Sequence, residues 1–143
     1  MDDPFRRQPV AKWYVVAAIA SLVLMLLPLA GALIHLTTDP ATLPLDERAQ
    51  YEAEPLWMVL AFGLTGLAGT LAALMLIVRR RAAQPLLALA LVAIAVWFAG
   101  LFLNSQLREL LGTGQIAVAI GAVAIVWTIF WFARHSNQRG WLR

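Results

Sequence analysis

The side chains able to move protons, hold metals or attack carbonyls are few in this sequence and widely scattered. His35 and His135 are the only histidines, and they fall at the far end of the first apolar segment and just past the last one. A haem held by two imidazoles needs both on one iron, whereas these two are separated by the length of a spanning helix. Ser21 lies inside an apolar run with no charged residue near it, so it has no base to activate it. The absence of cysteine removes disulfides, thiolate metal sites and thiol catalysis together. The carboxylates concentrate in one place: Asp39, Asp46, Glu47, Glu52 and Glu54 lie between residues 37 and 55 with Arg48 as their only basic neighbour. Their spacing follows no calcium loop, which needs oxygen ligands at fixed alternate positions around a glycine. The expectation is therefore no catalytic residue, no cofactor, no metal and no enzymatic activity.

The elements that carry these residues are set by an excess of apolar side chains. Of 143 residues 62% are hydrophobic and 13% charged, against about 25% charged in a typical soluble domain. A soluble domain of this length still exposes about a third of the surface of its unfolded chain, so the surplus Leu, Ala, Val and Ile would face water. A lipid solvent removes that conflict. Four apolar stretches, 13–36, 56–78, 86–103 and 116–133, contain no Asp, Glu, Lys or Arg. Each is long enough, or nearly so, to span about 30 Å of hydrocarbon at 1.5 Å per residue; the last two are expected to extend a turn into their flanks. Strands through lipid would need a closed barrel with alternating polarity, which these runs lack. The predicted fold is all-α: one transmembrane domain, residues 1–143, forming a four-helix bundle. A cleaved leader is the competing reading of the first segment, but a leader's apolar core covers about 7 to 15 residues and this run passes twenty.

Orientation follows from the basic residues. Arg6, Arg7 and Lys12 precede the first span, Arg79, Arg80 and Arg81 follow the second, and Arg134, Arg139 and Arg143 follow the fourth, whereas the opposite loops hold only Arg48 and Arg108. The bias predicts both ends on the cytoplasmic side of the membrane. The loop at 37–55 is then external and acidic. Pro44 and Pro55 bracket LDERAQYEAE, in which Arg48 and Glu52 stand one turn apart, so a short external helix is expected there. Residues 104–115, with Gly112 and Gly114, read as a plain connector. The net charge of +3 is dispersed in short clusters between apolar runs, which points to anionic headgroups and excludes nucleic acid.

Small residues mark where helices approach. Gly63, Gly66 and Gly69 recur on the second helix, with Thr70 a turn beyond Gly66, and Ala117 and Gly121 form a small-xxx-small pair on the fourth. They serve either contacts inside the bundle or a homodimer. Pro28 removes a backbone hydrogen bond from the first helix and is expected to kink it. Trp13, Tyr14 and Trp131 are placed in the inner interfacial belt and Trp57 in the outer one. Trp97 and Trp127 fall near mid-span, where an indole N–H needs an acceptor. Thr65, Thr128 or a backbone carbonyl would supply it, and Trp97, Trp127, Thr128 and Thr65 together form a candidate intramembrane pocket. Asp46, Glu47, Tyr51 and Glu52 form a candidate external partner surface.

Four sequence features together, KWY at Lys12–Tyr14, LPLDERAQYEAEPLW at Leu43–Trp57, a glycine-rich second helix ending in Arg79 and Arg80, and a terminal RGWLR, cover nearly the whole chain. In this respect the chain resembles a family of small bacterial four-helix membrane proteins, some of them labelled sugar transporters. The resemblance implies four spans in a bacterial inner membrane. Members carry an amide residue inside the first and third spans, and the matching places here hold an apolar residue near Met25 and the aromatic Trp97. Two functions follow from the residues: an accessory protein that binds other membrane components through helix faces or the acidic loop, or a small, dimeric carrier of a neutral or amphipathic solute past Trp97 and Trp127. The partners are accordingly the lipid bilayer and either another membrane protein or a second copy.

Overall fold

The computed structural model describes residues 9–143; Arg6 and Arg7 of the charge argument lie outside the described residues. Helix α1 covers Tyr14–Thr37, α2 Leu45–Ala53, α3 Leu56–Ile77, α4 Ala83–Leu103, α5 Ser105–Leu110 and α6 Thr113–Gln138, with a single 3-10 turn at Pro40–Thr42. No strand occurs among the described residues. Helices α1, α3, α4 and α6 are long and apolar enough to cross a membrane. Two boundaries are longer than the apolar runs alone indicate. Helix α4 begins at Ala83, because Pro85 falls in its first turn, where its missing N–H costs nothing. Helix α6 continues through Arg134 and His135 to Gln138, so its last turns are polar.

The connector at 104–115 is corrected by the structure, since it contains α5. The Asn104 side chain accepts from the N–H groups of Gln106 and Leu107 at 3.1 and 3.3 Å, which satisfies two of the orphan donors of the first turn. Leu107 is then buried against Met58, Leu101 and Ala119. The helix at Leu45–Ala53 forms where the flanking prolines place it, with Arg48 Nε donating to Glu52 at 3.2 Å.

Helix α1 packs along α3, α3 along α4, and α4 along α6, but α1 and α6 do not pack along their length. The bundle is therefore an open row rather than a closed ring. The glycines of α3 explain its tightest contact. A methyl at Gly66 would run into the Leu29 backbone, one at Gly69 into the Met25 side chain, and one at Gly63 would sit 3.3 Å from Ala32 Cβ. All three face α1, so the stripe serves packing inside the chain. Thr70 Oγ1 donates to the Met25 carbonyl at 3.2 Å, beside the Leu24 carbonyl that Pro28 leaves without a helical donor, and α1 runs unbroken through Pro28. Gly100 plays the same role on α4, where an added methyl would lie 2.7 Å from Trp57. Ala117 is exposed and Gly121 has nothing within 4 Å of an added methyl, so the pair on α6 makes no helix contact among the described residues.

The core is built of small and flexible side chains, with Ala72, Ala73, Ala90, Leu76 and Leu87 fully buried. Large apolar side chains such as Leu60, Val92 and Ile120 point outward instead. This distribution inverts that of a water-soluble helical protein.

Candidate functional site

Both described ends of the chain meet at one end of the bundle. Tyr14, 1% exposed, donates its hydroxyl to the Leu76 carbonyl at 2.6 Å and packs at a tilt against Phe132. It is thus a core residue rather than a member of an interfacial belt; Trp13, beside it, stays half exposed. Trp141 lies edge-on to Trp13, Tyr14 and His135. Its position is set by the residues around it: Gly140 turns the chain with φ 70°, and the extended tail then pairs with the α3–α4 turn. Arg143 N–H donates to the Arg79 carbonyl at 2.6 Å, Arg81 N–H to the Arg143 carbonyl at 2.9 Å, and Arg79 Nε to the Trp141 carbonyl at 3.0 Å. Arg79 itself takes φ 59°, ending α3 in the left-handed conformation that glycine normally supplies. KWY, Arg79 and RGWLR, remote in sequence, are one construction here. At this end α1 and α6 meet through Tyr14 and Phe132.

At the opposite end α1 and α6 stand apart, and α2 roofs the gap. Two ties hold the roof. On the α1 side, Tyr51 Oη donates to the His35 carbonyl at 2.7 Å and its ring stacks on His35 with centroids 4.1 Å apart. On the α6 side, Gln50 and Gln115 exchange amide hydrogen bonds of 3.3 and 2.9 Å. Asn104 Nδ2 adds a third bond, to the Ala53 carbonyl, at 3.1 Å.

Beneath the roof lies a chamber of about 510 Å³ whose walls include His35, Glu47, Glu54, Phe62, Trp97 and Val118. Glu54 is its central group. One carboxylate oxygen accepts from Trp97 Nε1 at 3.3 Å, and His35 Nδ1 lies 3.7 Å from the other. Trp97 packs on Phe62 with ring centroids 4.8 Å apart. Below the chamber an apolar groove of about 390 Å³ continues between α1 and α6, past Pro28, Gly31, Thr65, Gly121 and Ile125. Phe62 and Val118 line both spaces, so chamber and groove adjoin.

The structure separates the four residues grouped as a pocket. Trp97 lines the chamber, but its acceptor is Glu54, not a threonine or a carbonyl. Because α4 ends at Leu103, Trp97 stands six residues, about 9 Å, from that end, close enough to reach the roof. Trp127 points outward, 57% exposed, against Phe130. Thr128 is exposed and donates to the Ala124 carbonyl of its own helix. Thr65 borders the groove, with its hydroxyl donated to the Ala61 carbonyl. On α2, Asp46, Glu47 and Glu52 are exposed, whereas Tyr51 is half-buried and committed to His35 and Thr38, so it does not join them on the solvent-facing side of the helix. The participants missed were His35, Glu54, Gln50 and Gln115. His35, Glu54 and Gln115 sit at helix ends and Gln50 on the nine-residue α2, where periodicity carries no information about which side chains converge. No group of three metal-ligating side chains comes together among the described residues.

No protein-family model matches this chain, nor does any curated protein or solved structure.

Proposed function

We propose that this chain is a multi-pass protein of the bacterial cytoplasmic membrane, akin to the small four-helix proteins it resembles, and that it binds a small amphipathic solute for carriage across that membrane. In this reading α1, α3, α4 and α6 span the bilayer, both ends are cytoplasmic, and α2 lies outside. The observation that carries the solute assignment is the chamber under α2, which holds Glu47, Gln50, Glu54 and Gln115 in its walls and adjoins an apolar groove between α1 and α6. Its dimensions fall in the range of about 300 to 1,000 Å³ common to small-molecule sites. A polar group held near Glu54 and an apolar body lying against Phe62 and Val118 would use both parts.

Native mass spectrometry of protein purified in a mild detergent tests the binding. A small molecule retained by the wild-type chain is expected to be missing from Gly121→Trp, which fills the groove. An empty wild-type chain argues against the solute reading. The orientation has its own test: a reporter active only in the cytoplasm should work when fused after Arg143, and activity of an exported reporter there would reverse the topology.

The exposed carboxylates of α2 favour a second reading, in which the protein is an accessory subunit that docks another membrane protein or a second copy through Asp46, Glu47 and Glu52. Stable co-purification with such a partner, lost on neutralising these three residues, would support it.

A further inference from the structure

The lining of the chamber narrows the class of solute. Its charged residues are Glu47 and Glu54; neither lysine nor arginine lines it among the described residues. Arg48, the nearest basic residue in sequence, turns to Glu52, which lies outside the chamber wall. The Glu54 carboxylate is half-buried, and what reaches it is an indole N–H at 3.3 Å and an imidazole nitrogen at 3.7 Å. A carboxylate partly drawn away from water and met by an indole and an imidazole, with no lysine or arginine on the walls around it, has capacity left for a positive charge. The walls around it are aromatic: Trp97 and Phe62 pack together, and His35 and Tyr51 stack on the α1 side. Ring faces attract cations, most strongly where water is displaced. The groove below, lined by Leu24, Leu27, Ile94 and Ile125, offers only apolar contact to whatever extends from the charged group.

We propose that the Glu54 chamber and the α1–α6 groove form one binding site for a lipophilic organic cation, its charge against Glu54 and Trp97 and its apolar body between α1 and α6. The inference rests on the solute-binding reading and adds the sign of the charge. Glu54 sets that sign, Glu47 reinforces it at the mouth, and the Trp97–Phe62 pair provides the ring faces. Substitution of the carboxylate by its amide keeps an acceptor for Trp97 Nε1, so the charge is removed while the hydrogen bond stays.

The experiment is equilibrium dialysis of the purified full chain in neutral detergent against tetraphenylphosphonium, with triphenylphosphine oxide as an uncharged probe of similar shape. Saturable binding of tetraphenylphosphonium is expected, at least tenfold tighter than that of the phosphine oxide. Affinity for the cation should fall at least tenfold in Glu54→Gln, and stay within twofold of wild type in Glu52→Gln, whose carboxylate faces away. Circular dichroism of each variant confirms that the helices are retained, and Glu54→Asp, which keeps the charge, should restore part of the affinity if the first variant unfolds. Equal binding of the two probes, or a cation affinity unchanged by Glu54→Gln, overturns the cation assignment and leaves the solute reading standing. Absence of saturable binding of either probe overturns both.

Discussion

Two of the described residues hold left-handed backbone, and they show how differently one conformation is supported. Gly140 adopts it with no side chain to strain, whereas Arg79 adopts it with one, and only the glycine is the residue that statistics would choose. Arg79 persists because its side chain is used: Nε reaches the Trp141 carbonyl, and its own carbonyl accepts from Arg143. Replacing Gly140 by Ala puts a Cβ into that conformation, at a cost of about 1 kcal/mol. A lowered midpoint of thermal unfolding in detergent is the expected result, with no change in helix content at low temperature. Trp97→Phe probes the other end. It preserves the packing on Phe62 and removes the donor to Glu54, so the expected loss is about 1 kcal/mol, toward the lower end for a hydrogen bond to a charged group because the pair is only partly buried. Chemical unfolding of the purified chain measures it.

Glycines at helix interfaces are legible in sequence as a class, but their partners are not. Gly66 and Gly121 carry the same signature, yet Gly66 lies against the Leu29 backbone and Gly121 borders open space. The expected outcomes therefore diverge: Gly66→Ala must push α1 from α3, costing about 1–3 kcal/mol as overpacking does, while Gly121→Ala should stay within about 0.5 kcal/mol of wild type. Denaturation in mixed detergent compares the two. The long helices themselves were readable because a span needs only length and apolarity, and Pro44, Pro55 and the Arg48–Glu52 pair were sufficient to place α2. Helix α5 was missed because six residues are too few to show a period, although Asn104 ahead of Ser105 is a capping signal. Of the four residues grouped as a pocket, Trp97 and Thr65 border the spaces inside the chain, while Trp127 and Thr128 are exposed. Depth singles out Trp97 and Trp127 alike, but depth does not say which way a ring faces, and Trp127 faces outward. Glu54 escaped notice because a carboxylate in an acidic loop looks solvated until the loop folds over the helix ends.

The open row of α1, α3, α4 and α6 leaves α1 and α6 joined through the aromatic cluster at one end and through the roof at the other. If the tail is what draws them together, removing Trp141, Leu142 and Arg143 deletes the four hydrogen bonds that join these residues to Arg79 and Arg81 and takes the Trp141 ring from Tyr14 and His135. Phe132 alone would then face Tyr14. The absence of native cysteine makes the consequence measurable with a single introduced thiol. Ala18 is fully buried on α1, one turn from Tyr14, and Ala32 is nearly so toward the roofed end. In the full chain, Ala18→Cys should react slowly with a membrane-permeant maleimide; in the chain ending at Gly140 its rate should rise at least fivefold, while that of Ala32→Cys stays constant because its contact with α3 at Gly63 is untouched. An unchanged rate at position 18 would mean that α1 is held by α3 alone, through Gly66, Gly69 and the Thr70–Met25 bond. The joint between α1 and α6 would then be a consequence of the fold rather than one of its causes.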